Sequence, residues 1–229
     1  MSRGFVYDGL SRLTSSSNPE AGTTGYVYDA NGNLISKTDA RGITATYTYD
    51  ALNRNTSRSS NAVGSITSCF SYDSANVANG MGLVANEWTQ VGSSGCPQGL
   101  STGSIVTQHS VFSYDLMGRV TNEQRCTIAG CAEGKVHTQQ YQYDLAGNRT
   151  SFTDALGKTT FGLAYDAGGR LVQVTSTWND PSHPSSLFSV QSFSPVGIGN
   201  WTLGNFLSLG KTYDSRERVS SFLVQRSAQ

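Results

Sequence analysis

Polar and apolar residues alternate along several stretches of this chain. In ITATYTYD, Ile43, Ala45, Tyr47 and Tyr49 fall on one face and Thr44, Thr46 and Thr48 on the other. That is the period of two expected of a half-buried β-strand. The stretch ends on Tyr-Asp, a word that occurs eight times in the chain, at Tyr7-Asp8, Tyr28-Asp29, Tyr49-Asp50, Tyr72-Asp73, Tyr114-Asp115, Tyr143-Asp144, Tyr165-Asp166 and Tyr213-Asp214. The shortest intervals are 21 residues, and the last interval also holds FSPVG, with Phe193 and Ser194 in the Tyr and Asp places. About nine units of ~21 residues follow, one of them degenerate.

Turn chemistry divides each unit. In Asp29-Ala30-Asn31-Gly32 the aspartate opens a turn, where its carboxylate can accept a backbone N–H two residues on, and Gly32 supplies the left-handed conformation. This predicts a type I turn with a bulge closing a hairpin. The same slot holds Gly118, Gly147 and Gly169, then Asn53 and Asn76, which tolerate positive φ next best; Ser11 and Glu217 fit it poorly. Half a period later Asp39-Ala40-Arg41-Gly42 and Asp154-Ala155-Leu156-Gly157 repeat the chemistry, with Asn61-Ala62-Val63-Gly64 a close relative. Two turns per unit leave two strands of about six residues, so one repeat is one hairpin. The position two before each tyrosine holds Phe5, Tyr26, Tyr47, Phe70, Phe112, Tyr141 and Leu163, failing only at Lys211. Stacked hairpins would turn these residues into two aromatic ladders, the core device of an array whose repeats cannot fold alone. The predicted fold is all-β, a repetitive antiparallel hairpin strip over residues 1–229, with insertions at about 73–110, 126–138 and 176–190.

Composition removes several functions. Charged residues are 14% and the formal net charge is zero, so no basic surface offers itself to nucleic acid or an anionic membrane. No run of about eighteen apolar residues exists to span a bilayer as a helix. The start, MSRGFVYDGLSRL, has no apolar core of a signal peptide. Because the repeat runs into both ends, the chain is expected to be a fragment of a longer protein.

The quoted units YDANGNLISKTDARGITATYTYDALNR, YDLMGRV, YDLAGNRTSFTDALGKTTFGLAYDAGGRL and WTLGNFLSLGKTYDSRERV resemble the YD repeats of bacterial Rhs and wall-associated proteins. That family is related to toxin-complex shell proteins and to teneurins. Tyr-Asp, the turn glycine and a following Arg or Asn (Arg12, Asn33, Arg54, Arg119, Asn148, Arg170, Arg218) recur in register. The resemblance implies a β-strip coiling into a hollow shell around a C-terminal toxic polypeptide, secreted or displayed at the bacterial surface. The partners it implies are neighbouring YD repeats and that encapsulated domain. The chain lacks the family's DPxGL-like signature, its self-cleavage aspartates, and a variable domain after Gln229.

The residues offer little other chemistry. No G-x-S-x-G, H-E-x-x-H or P-loop occurs, and GLSTGS is a Ser/Gly loop with no helix to follow, so no catalytic residue, metal site or cofactor is expected. DANGN lacks the twelfth-position glutamate and the donor spacing of a calcium loop. His109, His137 and His183 are scattered relative to the cysteines. In an exported chain, Cys126 and Cys131 are the first candidate disulfide, across an extended hairpin tip, and Cys69 with Cys96 the second. The leading reading is a non-catalytic scaffold segment; the alternative is a module that binds surface carbohydrate through exposed aromatics.

Overall fold

The computed structural model describes residues 2–92, 95–96, 105–178, 180 and 184–226. GLSTGS, His183 and parts of the 73–110 and 176–190 insertions lie outside the described residues, whereas 126–138 is described throughout. The described residues form 18 antiparallel strands, and the chain divides into two compact units, Met1–Val136 and His137–Gln229.

In the first unit, β1 (Gly4–Tyr7), β2 (Leu13–Asn18), β3 (Gly22–Tyr28), β4 (Leu34–Thr38) and β5 (Thr44–Tyr49) are followed by β6 (Asn55–Ser60), β7 (Ile66–Tyr72), β8 (Val84–Val91), β9 (Ile105–Tyr114) and β10 (Val120–Cys126). Each strand pairs with the next, a pure meander. A short helix, α1 (Ile128–Ala132), follows β10 and packs against β9. The second unit repeats the scheme with β11 (His137–Tyr143), β12 (Arg149–Thr153), β13 (Thr160–Tyr165), β14 (Leu171–Ser176), β15 (Ser186–Ser194), β16 (Gly197–Leu203), β17 (Leu207–Tyr213) and β18 (Val219–Arg226). Every odd strand carries the Tyr-Asp slot at its end and every even strand is its return, which makes nine hairpins.

The hairpin ends have the predicted form. In the Asp29 turn, Gly32 N–H bonds to the Asp29 carbonyl and Asp29 N–H to the Asn33 carbonyl. The ladder slips by one residue between Val27 and Tyr28, the bulge that brings the right-handed twist. The same slip falls at Tyr7, Tyr49, Tyr72, Tyr143, Tyr165 and Tyr213. Ser11 and Glu217, which fit the slot poorly by residue type, nevertheless take φ of 60° and 63°. The turn therefore imposes its conformation even where the side chain resists it. On the face opposite the tyrosines, hydroxyls pair across strands, as in Thr38 with Thr44, Thr48 with Ser57 and Thr212 with Ser221.

Three local expectations are corrected. At the 61–64 turn the closing bond runs from Ser65 N–H to the Ala62 carbonyl, so the turn begins one residue later. Asn61 instead spends its amide on the neighbouring turn, accepting from Thr44 N–H and donating to the Gly42 carbonyl. Between Tyr72 and β8 the left-handed residues are Asp73, Asn79 and Gly82, not Asn76. Finally, the stretch assigned to an insertion at 73–110 contains β8, the regular return strand, so the added chain divides into a cap before β8 and a loop after it. The cap matters to packing, since Val77 joins Ala85, Val111 and Tyr114 in the buried cluster, flanked by Leu83 and Val120.

Candidate functional site

The recurrent corner formed by each Tyr-Asp word is the candidate site. At Asp8, Asp29, Asp50, Asp115, Asp144, Asp166 and Asp214, Oδ1 accepts the backbone N–H four residues on, at 2.8–3.0 Å. Oδ2 accepts the side chain of that same residue, an arginine Nε from Arg12, Arg54, Arg119, Arg170 and Arg218, or the amide of Asn33 and Asn148, at 2.6–2.9 Å. These bonds stabilise the ionised carboxylate, so each aspartate is held below its ordinary value of 3.8. The largest cause is the backbone N–H four on at Asp8, Asp50, Asp115 and Asp166, and the side chain four on at Asp29, Asp144 and Asp214. Asp39 and Asp154, at the opposite end of the hairpins, accept the N–H groups two and four residues on in the same way. A carboxylate with its lone pairs committed to its own turn is a poor general base and a poor metal ligand.

Asp73 departs from the pattern. It accepts Gly82 N–H across the cap and the Arg54 guanidinium of the preceding unit, so it fastens an insertion rather than its own turn.

The tyrosines act between units. The hydroxyl of Tyr28 donates to the Leu13 carbonyl, Tyr49 to Leu34, Tyr72 to Asn55, Tyr114 to Val84, Tyr165 to Arg149 and Tyr213 to Ile198, at 2.8–3.3 Å. In each case the acceptor lies at or beside the start of the preceding hairpin's return strand. The motif arginines complete the contact, because Arg12 stacks over Tyr28 at 5.0 Å, Arg54 over Tyr72 at 4.3 Å and Arg170 over Phe193 at 3.9 Å. One guanidinium thus holds its own aspartate and the next unit's ring. Where asparagine replaces arginine, Asn33 bridges Asp29 and Asn53 of the following turn. The second aromatic position is paired within the hairpin, as Tyr26 with Lys37, Tyr47 with Arg58 and Tyr141 with Arg149. Lys211, the exception in sequence, places its ammonium over Trp201 and Phe222. The ladders are half-buried rather than a sealed core, and Phe5, Tyr7 and Phe112 are exposed.

Local sequence gave no signal for a second cluster. His109 on β9 places Nδ1 3.3 Å from Glu87 of β8 and Nε2 2.8 Å from Glu123 of β10, and Arg125 reaches Glu123 at 3.1 Å. Glu123 is 3% exposed, so this cross-strand set keeps a buried carboxylate partnered. Among the described residues, no group of three or more His, Cys, Asp or Glu side chains is arranged to hold a metal. No helix among them is long and apolar enough to cross a membrane. Cys69 is joined to Cys96 and Cys126 to Cys131. The second bond ties the end of β10 into α1 rather than crossing a hairpin tip. A cleft of about 560 Å³ lies beside Arg54, Phe70, Tyr72, Trp88 and Cys96. The Arg54 Nη1 is buried there without a hydrogen-bond partner.

Two segments, 28–66 and 143–177, match the RHS Repeat family model. No curated protein sequence matches the chain. Similar solved folds include TcdB2-TccC3 with Cdc42 (TM-score 0.68, 16% identity, 97% of this chain), TcdB2-TccC3 (0.67, 17%, 97%) and TcdB2-TccC3 without its hypervariable C-terminal region (0.66, 16%, 96%). This chain covers 11% of each of those chains. At that identity the likeness is one of fold.

Proposed function

From a chain that carries RHS repeats, of the Rhs/YD type, we propose a non-catalytic structural role: a segment of a YD-repeat β-shell that encloses or presents a C-terminal toxic polypeptide in a secreted or surface-displayed protein. The observation that carries this reading is where the motif's chemistry is spent. Aspartates cap their own turns, arginines bridge to the next ring, and tyrosine hydroxyls tie each hairpin to the one before. The repeated word spends its side chains on turns and on the junctions between hairpins, and neighbouring repeats are its first partners. The paired cysteines suit an oxidising compartment. That one similar solved protein is a form lacking a hypervariable C-terminal region supports a variable C-terminal cargo here too. Recognition of surface carbohydrate would ask for rings with open faces and unspent hydroxyls. Tyr28 and Tyr72 carry guanidinium groups on their faces and have committed their hydroxyls to carbonyls, which favours enclosure.

The test is limited proteolysis of the native polypeptide that contains this chain. A segment following Gln229 should resist digestion until the repeats are denatured. Digestion of that segment at the rate of the free peptide, or its absence from the native polypeptide, would overturn the enclosure of a C-terminal cargo.

A further inference from the structure

Charge is divided unequally between the two sides of the sheets. Successive strand residues point to opposite sides, so the register assigns each to the side of the tyrosines or to the other. Every Asp, Glu, Lys and Arg within a described strand falls on the tyrosine side. Lys37 stands opposite Tyr26, Arg58 opposite Tyr47, Glu87 opposite Phe70 and Lys211 opposite Phe222. Glu123 and Arg125 meet at His109, which is itself opposite Glu87. Arg149 lies over Tyr141, and Arg226 is opposite Leu207, in line with Lys211.

The other side is built from small and uncharged residues. Gly25 opposite Thr38, Ser36 opposite Thr46 and Thr48 opposite Ser57 line it in the first unit, as do Gly162 opposite Thr175 and Thr202 opposite Ser208 in the second. Thr38 with Thr44, Thr48 with Ser57 and Thr212 with Ser221 spend their hydroxyls on each other. Thr46, Thr48 and Gln173 are exposed on this side, whereas Cys96, joined to Cys69, lies against it beside the buried Trp88.

A protein surface that faces bulk water is where charge ordinarily collects, because charge keeps molecules hydrated and apart. A surface that faces a captive polypeptide has a different requirement. A fixed charge there attracts cargo residues of one sign and repels those of the other, with less screening than in open solvent. Paired hydroxyls and glycines do neither, so they accept a chain of any composition. On the basis of the enclosure reading above, we propose that the uncharged side is the inner surface of the wall, turned to the enclosed polypeptide. The tyrosine side, with its lysines and arginines, is then the outer surface. The partner this surface fits is a polypeptide of unrestricted charge, held by confinement rather than by specific contacts.

The test is labelling of single-cysteine variants of the native polypeptide that contains this chain, with a maleimide carried on a bulky polymer. All four cysteines of this chain are joined in pairs, and the unsubstituted polypeptide sets the background. Thr46→Cys and Lys37→Cys place thiols at exposed positions of neighbouring strands on opposite sides, and Gln173→Cys and Arg149→Cys do the same in the second unit. The reagent should label positions 37 and 149 and leave 46 and 173 unmodified until the repeats are denatured. Protection of 37 and 149 with labelling of 46 and 173 would overturn the proposal while leaving enclosure standing. Equal labelling of the two sides would also overturn it, and the protease assay of the segment after Gln229 then shows whether enclosure fails with it.

Discussion

Each residue of the repeat word does one mechanical task, and the least suitable residues show how strongly the task is imposed. Ser11 and Glu217 sit at φ of 60° and 63° in a slot where Gly32 and Gly147 pay no Cβ penalty. Relieving that strain should stabilise the chain. Glu217→Gly is expected to gain on the order of 1 kcal/mol, raising the melting temperature by about 2–4 °C in calorimetry. An unchanged or lower melting temperature would show that the turn does not need the left-handed residue there. Conversely Gly32→Val places a β-branched residue at φ 89° and should cost about 1–3 kcal/mol in the same assay.

At the scale of the element, the aspartate turns couple stability to pH. Their folded carboxyls titrate below 3.8, so their contribution is complete above that value and is lost as pH falls through the lowered folded values. The melting temperature should stay level as pH drops from neutral to about 4 and then fall steeply. Asp50→Asn should shrink the acid-induced part of the fall, and a decline complete above pH 5 would assign acid sensitivity to other groups. The disulfides should differ with the chain they close. Cys69 to Cys96 spans 27 residues against 5 for Cys126 to Cys131. The loop-entropy model gives about 3–4 kcal/mol for the longer and about 2 for the shorter. Replacing the first pair with serine should therefore lower the denaturation midpoint more than replacing the second. The hairpins themselves were legible from local pattern, because alternation, Asp-x-x-Gly and the interval of 21 are all written within one unit. The Asp73 cap and the His109 cluster were not legible. Asp73 is bonded by Gly82 and Arg54, and His109 by Glu87 and Glu123, partners that only the register of separate strands brings together.

Across the whole molecule, the same limit explains what the sequence hid about the tyrosines. Their periodicity marked them as core rungs, but a hydroxyl from Tyr49 to the Leu34 carbonyl crosses from one unit to the preceding one, and no local pattern encodes it. The ties turn hairpins that are individually marginal into continuous sheets, in which stability is a sum over junctions as in other repeat arrays. The vulnerable points of an array built this way are its junctions.

The most direct measurement of this account is chemical denaturation of a tyrosine-to-phenylalanine series. Tyr28→Phe, Tyr49→Phe and Tyr165→Phe each delete a hydroxyl bonded to a neighbouring hairpin. Tyr7→Phe deletes the hydroxyl of a residue that is 58% exposed. Measured on dilute protein, each of the three internal variants should lose about 1 kcal/mol, and Tyr7→Phe should lose none. Equal effects at all four positions, or no effect at any, would contradict a wall held together by its Tyr-Asp words.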